Sequence, residues 1–352
     1  MAEEIKERNY GIELFRIVLI FMVCMLHTLG QGGVIKACEF GSLRFQGLWL
    51  LKIISYGAVN GFAMISGYTA STKPRKPARL VELWIQVFFY SFLITLFLTV
   101  IGQNPTMETK TLVRCAFPVT FKCYWYFTAF FVVFLAMPMI NNFFFSLEKR
   151  TAQKAFVLMI VVFSVLGVIN DPFKALNGYS TIWLLVLYCI GVLAKKIELF
   201  KNKGKLFLIL VWLVGILVSW AGIVYRSWAF LYSYVSPFIL ISSMALLILF
   251  SRMKFKGTVI KRIAPLTFGI YLFQLSPVIW IKMKNLFAFA AKGSAWMVFG
   301  RVFLIAIGIF VSGMIVEFVR SKASKLFRIR TLSEKIVGVI GKVLGGLTAF
   351  FR

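Results

Sequence analysis

Two charged side chains and an imidazole interrupt the apolar stretch "GIELFRIVLIFMVCMLHTLGQGG" near the N-terminus: Glu13, Arg16 and His27, the chain's only histidine. An imidazole near its ordinary pKa acts as a general base at neutral pH. A guanidinium grips phosphate or carboxylate with a planar fork. In a helix of about 100° and 1.5 Å per residue, Arg16 and His27 share one face, about 16 Å apart along the axis. Glu13 falls within about 40° of His27's direction and lies one turn from Arg16. Charges inside a membrane helix are costly and usually face a cavity or a partner. One reading of the stripe is therefore a path with a cationic mouth and a base at its far end. The plainer reading has Arg16 snorkelling to the headgroups with Glu13 beside it, and His27 bonded to a loop carbonyl at the opposite interface.

The elements that must hold such a stripe follow from composition. The chain has 352 residues, 60% hydrophobic and 17% aromatic, and its mean hydropathy is +0.87. That excludes an ordinary soluble domain and indicates an integral membrane protein. The net charge of +28 is assigned to loops that orient spans and meet anionic lipid. No soluble basic module exists to bind nucleic acid, so none is expected as a partner. The five cysteines lack metal-ligand spacing, and no metal site is expected.

Ten apolar segments of about the length needed to span a bilayer run roughly over 11–30, 47–70, 82–102, 124–146, 155–170, 179–194, 206–224, 234–250, 263–282 and 296–319. No strand alternation occurs, so the expected fold is an all-α polytopic bundle of about ten transmembrane helices. Basic residues fall in every second loop. Lys73, Arg75, Lys76 and Arg79 follow the second segment, and Lys149, Arg150 and Lys154 the fourth. Lys195, Lys196, Lys201, Lys203 and Lys205 follow the sixth, and Arg252, Lys254, Lys256, Lys261 and Arg262 the eighth. The fifth and seventh are followed only by Lys174 and Arg226. The positive-inside rule then makes both termini cytoplasmic, with Arg16 towards the cytoplasm and His27 in the outer half. The N-terminus shows no signal-peptide pattern, so the first span is expected to be retained. Two regions result: a transmembrane domain over residues 1–320, and a basic amphipathic tail over 321–352, expected to lie at the interface rather than to form an eleventh span. Cys115 and Cys123, in a predicted outer loop, are candidates for a disulfide; Cys24 and Cys189 read as small core residues.

The opening stretch resembles the start of the acyltransferase-3 family of membrane acyltransferases, in which an acid, then Leu-Arg, precedes a histidine eleven residues beyond the arginine; Arg16 and His27 match that spacing. "GFAMISGYTA" is similar to the family's Ser-Gly-aromatic segment, with Ser66, Gly67 and Tyr68, and "KPRKPARL" to the basic motif that follows it. "YWYFTAFFVVFLAMPMIN" resembles its Trp-Tyr-rich segment and "TFGIYLFQLSP" its late segment, with Gln274 where many members carry histidine. The basic motif departs from its usual form, reading Lys76-Pro-Ala-Arg79 with Arg75 beside it.

The resemblance implies a bacterial plasma-membrane enzyme with no bound cofactor. It would move an acyl group, usually acetyl, from cytoplasmic acyl-coenzyme A to a hydroxyl of a surface or exported polysaccharide or a lipid-linked glycan. Arg16, Arg75, Lys76 and Arg79 would hold the anionic part of coenzyme A, although the loop cations also serve simply to orient the second span. His27 would deprotonate the acceptor hydroxyl or be transiently acylated. Ser66, Tyr68 or Gln274 would donate to the oxyanion, or else belong to helix packing. Trp125 and Tyr126 would stack on a sugar, or else form an interfacial aromatic belt. Glu13 would orient Arg16. Two other classes fit a bundle of this kind: a transporter or flippase of an envelope precursor, and a non-catalytic membrane sensor. Transporters more often show inverted repeats or paired broken helices, and no internal repeat is visible.

Overall fold

The computed structural model describes residues 8–72, 76–103 and 109–350, and every regular element among them is helical. The helices used below are α1 (Tyr10–Leu29), α2 (Leu43–Tyr68), α3 (Ala78–Val100), α4 (Trp125–Ser146), α5 (Lys149–Asn170) and α6 (Thr181–Lys196). They continue with α7 (Lys205–Arg226), α8 (Pro237–Ser251), α9 (Thr267–Gln274), α10 (Pro277–Lys282), α11 (Ala295–Leu326) and α12 (Ile329–Phe350). Seven helical stretches among the described residues are long and apolar enough to cross a membrane: the one opening with α1, then α2, α3, α4, α5, α7 and α11. The chain is a multi-pass membrane protein.

Local sequence explains the ends and breaks. Asn9 caps α1, accepting from the Ile12 N–H at 3.1 Å, and Glu13 complements the positive end of the helix in its first turn. Ser42 and Ser180 cap α2 and α6 in the same way. The ninth expected segment, residues 263–282, is not one helix. It breaks between α9 and α10 because Pro277 has no N–H and forces Ser276 out of the helical region, to φ −53° and ψ 132°. The Ser276 hydroxyl then donates to the Tyr90 carbonyl at 3.0 Å, which pins the break against α3. Tyr90 itself sits in a π-helical turn, Phe89–Leu93, an irregularity that tends to mark functional positions.

The first helix is central, packing on α2, α8, α9 and α11. Polar side chains tie the apolar helices together, as is common where lipid supplies no hydrophobic drive. Asn60 of α2 donates to the Tyr234 carbonyl at 2.8 Å and accepts from Trp183 Nε1 of α6 at 3.2 Å. Asn141 of α4 accepts from the Tyr188 hydroxyl at 2.7 Å and donates to the Ser71 carbonyl at 3.1 Å. Lys149 at the start of α5 and Lys201 in the loop between α6 and α7 clamp Glu198 of that loop at 2.8 Å each and hold its carboxyl down to about 2.

Helices α2 and α6 meet backbone to backbone. A β-carbon on Gly67 would overlap the Tyr188 carbonyl, and one on Gly191 the Met64 carbonyl. Alanine at an unhindered helical glycine stabilises by roughly 1 kcal/mol. Gly67→Ala is instead expected to destabilise by about 1–3 kcal/mol, because two main chains must separate. A lowered thermal midpoint in detergent checks this; a raised midpoint would contradict the packing.

The expected tail, 321–352, is not one element: its first residues, to Leu326, continue α11, and α12 follows a short turn and packs mainly on the first half of α3, Ala78–Phe88. Cys115 and Cys123 are free thiols here, the Cys123 Sγ donating to the Arg114 carbonyl at 3.3 Å.

Candidate active site

His27 lies in the last turn of α1, half-buried. Its Nδ1 is 2.8 Å from Oε1 of Gln274, which is fully buried at the end of α9. The amide's orientation is set from its other side. Gln274 Nε2 donates to the Ile270 carbonyl at 3.3 Å and to Cys24 Sγ at 3.6 Å. A carbonyl only accepts, so the NH₂ faces Ile270 and the amide oxygen faces His27. Nδ1 must therefore carry the proton, and Nε2 carries the lone pair. The buried amide selects the tautomer in which the outer ring nitrogen is basic.

Trp280 of α10 meets the imidazole edge-on, with ring centroids 4.9 Å apart. The Trp280 carbonyl accepts from Gln31 Nε2 at 3.0 Å, and the Gln31 and Gly32 carbonyls accept from the Asn285 and Phe287 N–H groups, both at 2.9 Å. The loop after α1 is thus strapped to the loop after α10. The break before Pro277 lets consecutive helices flank the ring, Gln274 from one and Trp280 from the next.

Both N–H groups of the Gln274 amide have partners, the Ile270 carbonyl and Cys24 Sγ, and its oxygen faces His27. Gln274→Leu is expected to lower kcat about 10–100-fold, as loss of an orienting partner does, with little change in KM. Gln274→Glu, which still accepts from Nδ1, should retain more activity. Equal activity of the leucine variant and wild type would remove the orienting role.

The other expected residues spread along the bundle. Ser66 donates back to the Phe62 carbonyl of its own helix at 3.3 Å. The Tyr68 hydroxyl is 3.3 Å from Ser251 Oγ, and the Ser251 carbonyl accepts from Asn9, the cap of α1. Tyr68 therefore stands at the end of α1 remote from His27, about 27 Å along the axis, and does not share its site. Trp125 packs on Tyr126 and Tyr179, and Tyr126 on Tyr271, one turn before Gln274 on α9. An aromatic run thus leads from the start of α4 towards the His27–Gln274 pair. At the other end of α1, Glu13 bridges Arg16 at 2.9 Å and Arg8 at 3.1 Å.

Arg75 lies outside the described residues, and Lys76 is exposed. Arg79 pairs with Glu82 at 2.7 Å and lines a cavity of about 360 Å³ between α3, α11 and α12. Arg16 is not among the residues lining it. Among the described residues, no three His, Cys, Asp or Glu side chains are placed to hold a metal ion.

Sequence reasoning missed a second buried charge. Glu317 of α11 is 2% exposed and accepts from Arg320 Nη2 and Nε at 2.7 and 2.8 Å, from the Tyr90 hydroxyl at 2.9 Å and from Gln86 Nε2 at 3.1 Å. A β-carbon on Gly269 would collide with its carboxylate, so that glycine makes the room. The signal was available: an acid followed three residues later by arginine inside an apolar run, the spacing of Glu13 and Arg16.

Fold and site together define a multi-pass helical membrane protein with a tautomer-fixed histidine in its central helix. The family model described as an acyltransferase domain matches residues 9–318. The chain belongs to this acyltransferase-3 family, and that membership makes it a membrane acyltransferase. No curated protein and no solved structure matches it.

Proposed function

We propose that the protein moves an acyl group, acetyl in the simplest case, from cytoplasmic acyl-coenzyme A to a hydroxyl of a surface or exported polysaccharide or its lipid-linked precursor. The enzyme would reside in a bacterial plasma membrane with both termini in the cytoplasm; the alternation of basic loops supports that orientation. The observation that carries the chemistry is the His27–Gln274 bond, which leaves the Nε2 lone pair as the base.

In this reading Nε2 takes the acceptor's hydroxyl proton as its oxygen attacks the thioester carbonyl. The carbon–sulfur bond breaks when the tetrahedral intermediate collapses. The imidazolium returns its proton to the departing thiolate, giving the ester and free coenzyme A. Gln274 stabilises the imidazolium by accepting from Nδ1 throughout. Arg16, held by Glu13 at the other end of α1, and Arg79 and Lys76 at the start of α3 attract the donor's phosphates. Arg75 belongs to the same basic sequence motif. The aromatic run from Trp125 and Tyr126 offers sugar-stacking faces on the approach to His27.

The test uses purified protein in detergent with acetyl-coenzyme A and an envelope glycan extract, following release of free coenzyme A thiol. Release that depends on the glycan and appears as glycan-bound acetyl ester supports the reading. A protein that stays folded and consumes no acetyl-coenzyme A with any envelope fraction would contradict it.

A further inference from the structure

The cavity beside Arg79 is mostly the work of a segment beyond the family-matched region, which ends at residue 318. Arg320, Lys325 and Arg328 come from the end of α11 and the turn after it, and Arg330 from the first turn of α12. With Arg79 they place five cations around a space that one acid, Glu82, also lines. Arg79 is paired with Glu82, and Arg330 with Glu334 at 3.3 Å. Among the described residues, neither Lys325 nor Arg328 takes part in an ion pair.

Part of this cluster is built rather than adventitious. Arg320 presents Nε and Nη2 to Glu317, and Gln86, another lining residue, donates to the same carboxylate. The guanidinium is held from behind with donor capacity remaining for the cavity. The first turn of α12 adds the positive end of a 22-residue helix. Packing of α12 on the first half of α3 brings the tail to the basic motif. At about 360 Å³ the cavity falls in the range of sites for small molecules.

We propose that the C-terminal segment from Arg320 to Arg330 and Arg79 together form a binding site for a multiply charged phosphate ester, and that this ester is the phosphorylated nucleotide end of the acyl donor. The identity of the donor rests on the function proposed above. The phosphate chemistry does not, because an anionic lipid headgroup presents the same groups. The tail then completes the donor site instead of serving only as a membrane anchor, and its removal would weaken the donor without touching His27.

The test measures binding to the purified full-length protein, in micelles free of anionic lipid, by calorimetry. The probes are adenosine 3′,5′-bisphosphate and short-chain phosphatidylglycerol. Lys325 and Arg328 are exposed, so Lys325→Ala/Arg328→Ala should leave the thermal midpoint unchanged. The double variant is expected to bind the bisphosphate at least tenfold more weakly. Lys335→Ala/Lys342→Ala, which removes equal charge from α12 outside the cavity, should bind it like wild type. If the same variant loses phosphatidylglycerol and wild type ignores the nucleotide, the phosphate site stands and its ligand is lipid, which overturns the assignment to the donor. Binding of both probes unaffected by the cavity substitutions would overturn the site itself. Acyl transfer is scored separately: a protein that binds the bisphosphate yet transfers nothing contradicts the proposed function and leaves the site intact.

Discussion

His27→Ala is expected to lower the rate of acyl transfer about 10²–10⁴-fold, the range typical of a lost general base. The chain holds no second histidine to substitute, and Gln274, whose amide oxygen lies 2.8 Å from Nδ1, is not basic. A side chain that only packed would tolerate a polar replacement of similar reach. His27→Asn therefore sharpens the test. Its amide nitrogen can still donate to Gln274 Oε1, but it has no basic lone pair in place of Nε2. Asparagine should preserve folding and remain as inactive as alanine, while affinity for acetyl-coenzyme A changes little in either variant. Near-normal transfer by the asparagine variant would show that His27 serves the structure and not the reaction.

Glu317→Ala is expected to be the most damaging single substitution for stability. It would leave the half-buried Arg320 without its counter-ion, and Tyr90 and Gln86 without their shared acceptor. Breaking a buried pair from one side costs about 3–5 kcal/mol. Measured in detergent, the variant should show a large drop in thermal midpoint or fail to remain monodisperse. Removing the orphaned charge as well, in Glu317→Ala/Arg320→Leu, should recover part of the loss. A single variant as stable as wild type would mean that Arg320 finds solvent or headgroup in its place.

Much of the architecture was legible because lipid imposes a simple rule: apolar runs of about 20 residues become helices. The ten expected segments are helical among the described residues, but only seven helical stretches there are long and apolar enough to cross a membrane: those at 179–194 and 234–250 are shorter helices, and 263–282 is broken at Ser276–Pro277. That break was written in the sequence as a proline, yet its consequence was not. Only the fold shows that it sets Gln274 and Trp280 on two sides of His27. The stripe of Glu13, Arg16 and His27 followed from helical periodicity, since it concerns one element. Partnerships between elements could not be read this way. His27 and Gln274 are 247 residues apart in sequence, and Glu317 is 227 from Tyr90. Nothing local distinguishes Ser66, which bonds its own helix, from a residue facing substrate. The glycine of "ISGY" is explained by the close approach of α2 to α6, and the glycine of "TFGIYL" by the carboxylate it admits.

Esterification of a glycan hydroxyl by this membrane protein through His27 is read out on the product itself. Envelope polysaccharide would be analysed by mass spectrometry for O-acetyl groups in cells lacking the gene, complemented with wild type, His27→Ala or His27→Asn at matched membrane levels. O-acetyl content is expected to fall on deletion, return with wild type and stay absent with both variants. Full restoration by either variant would contradict catalysis by His27.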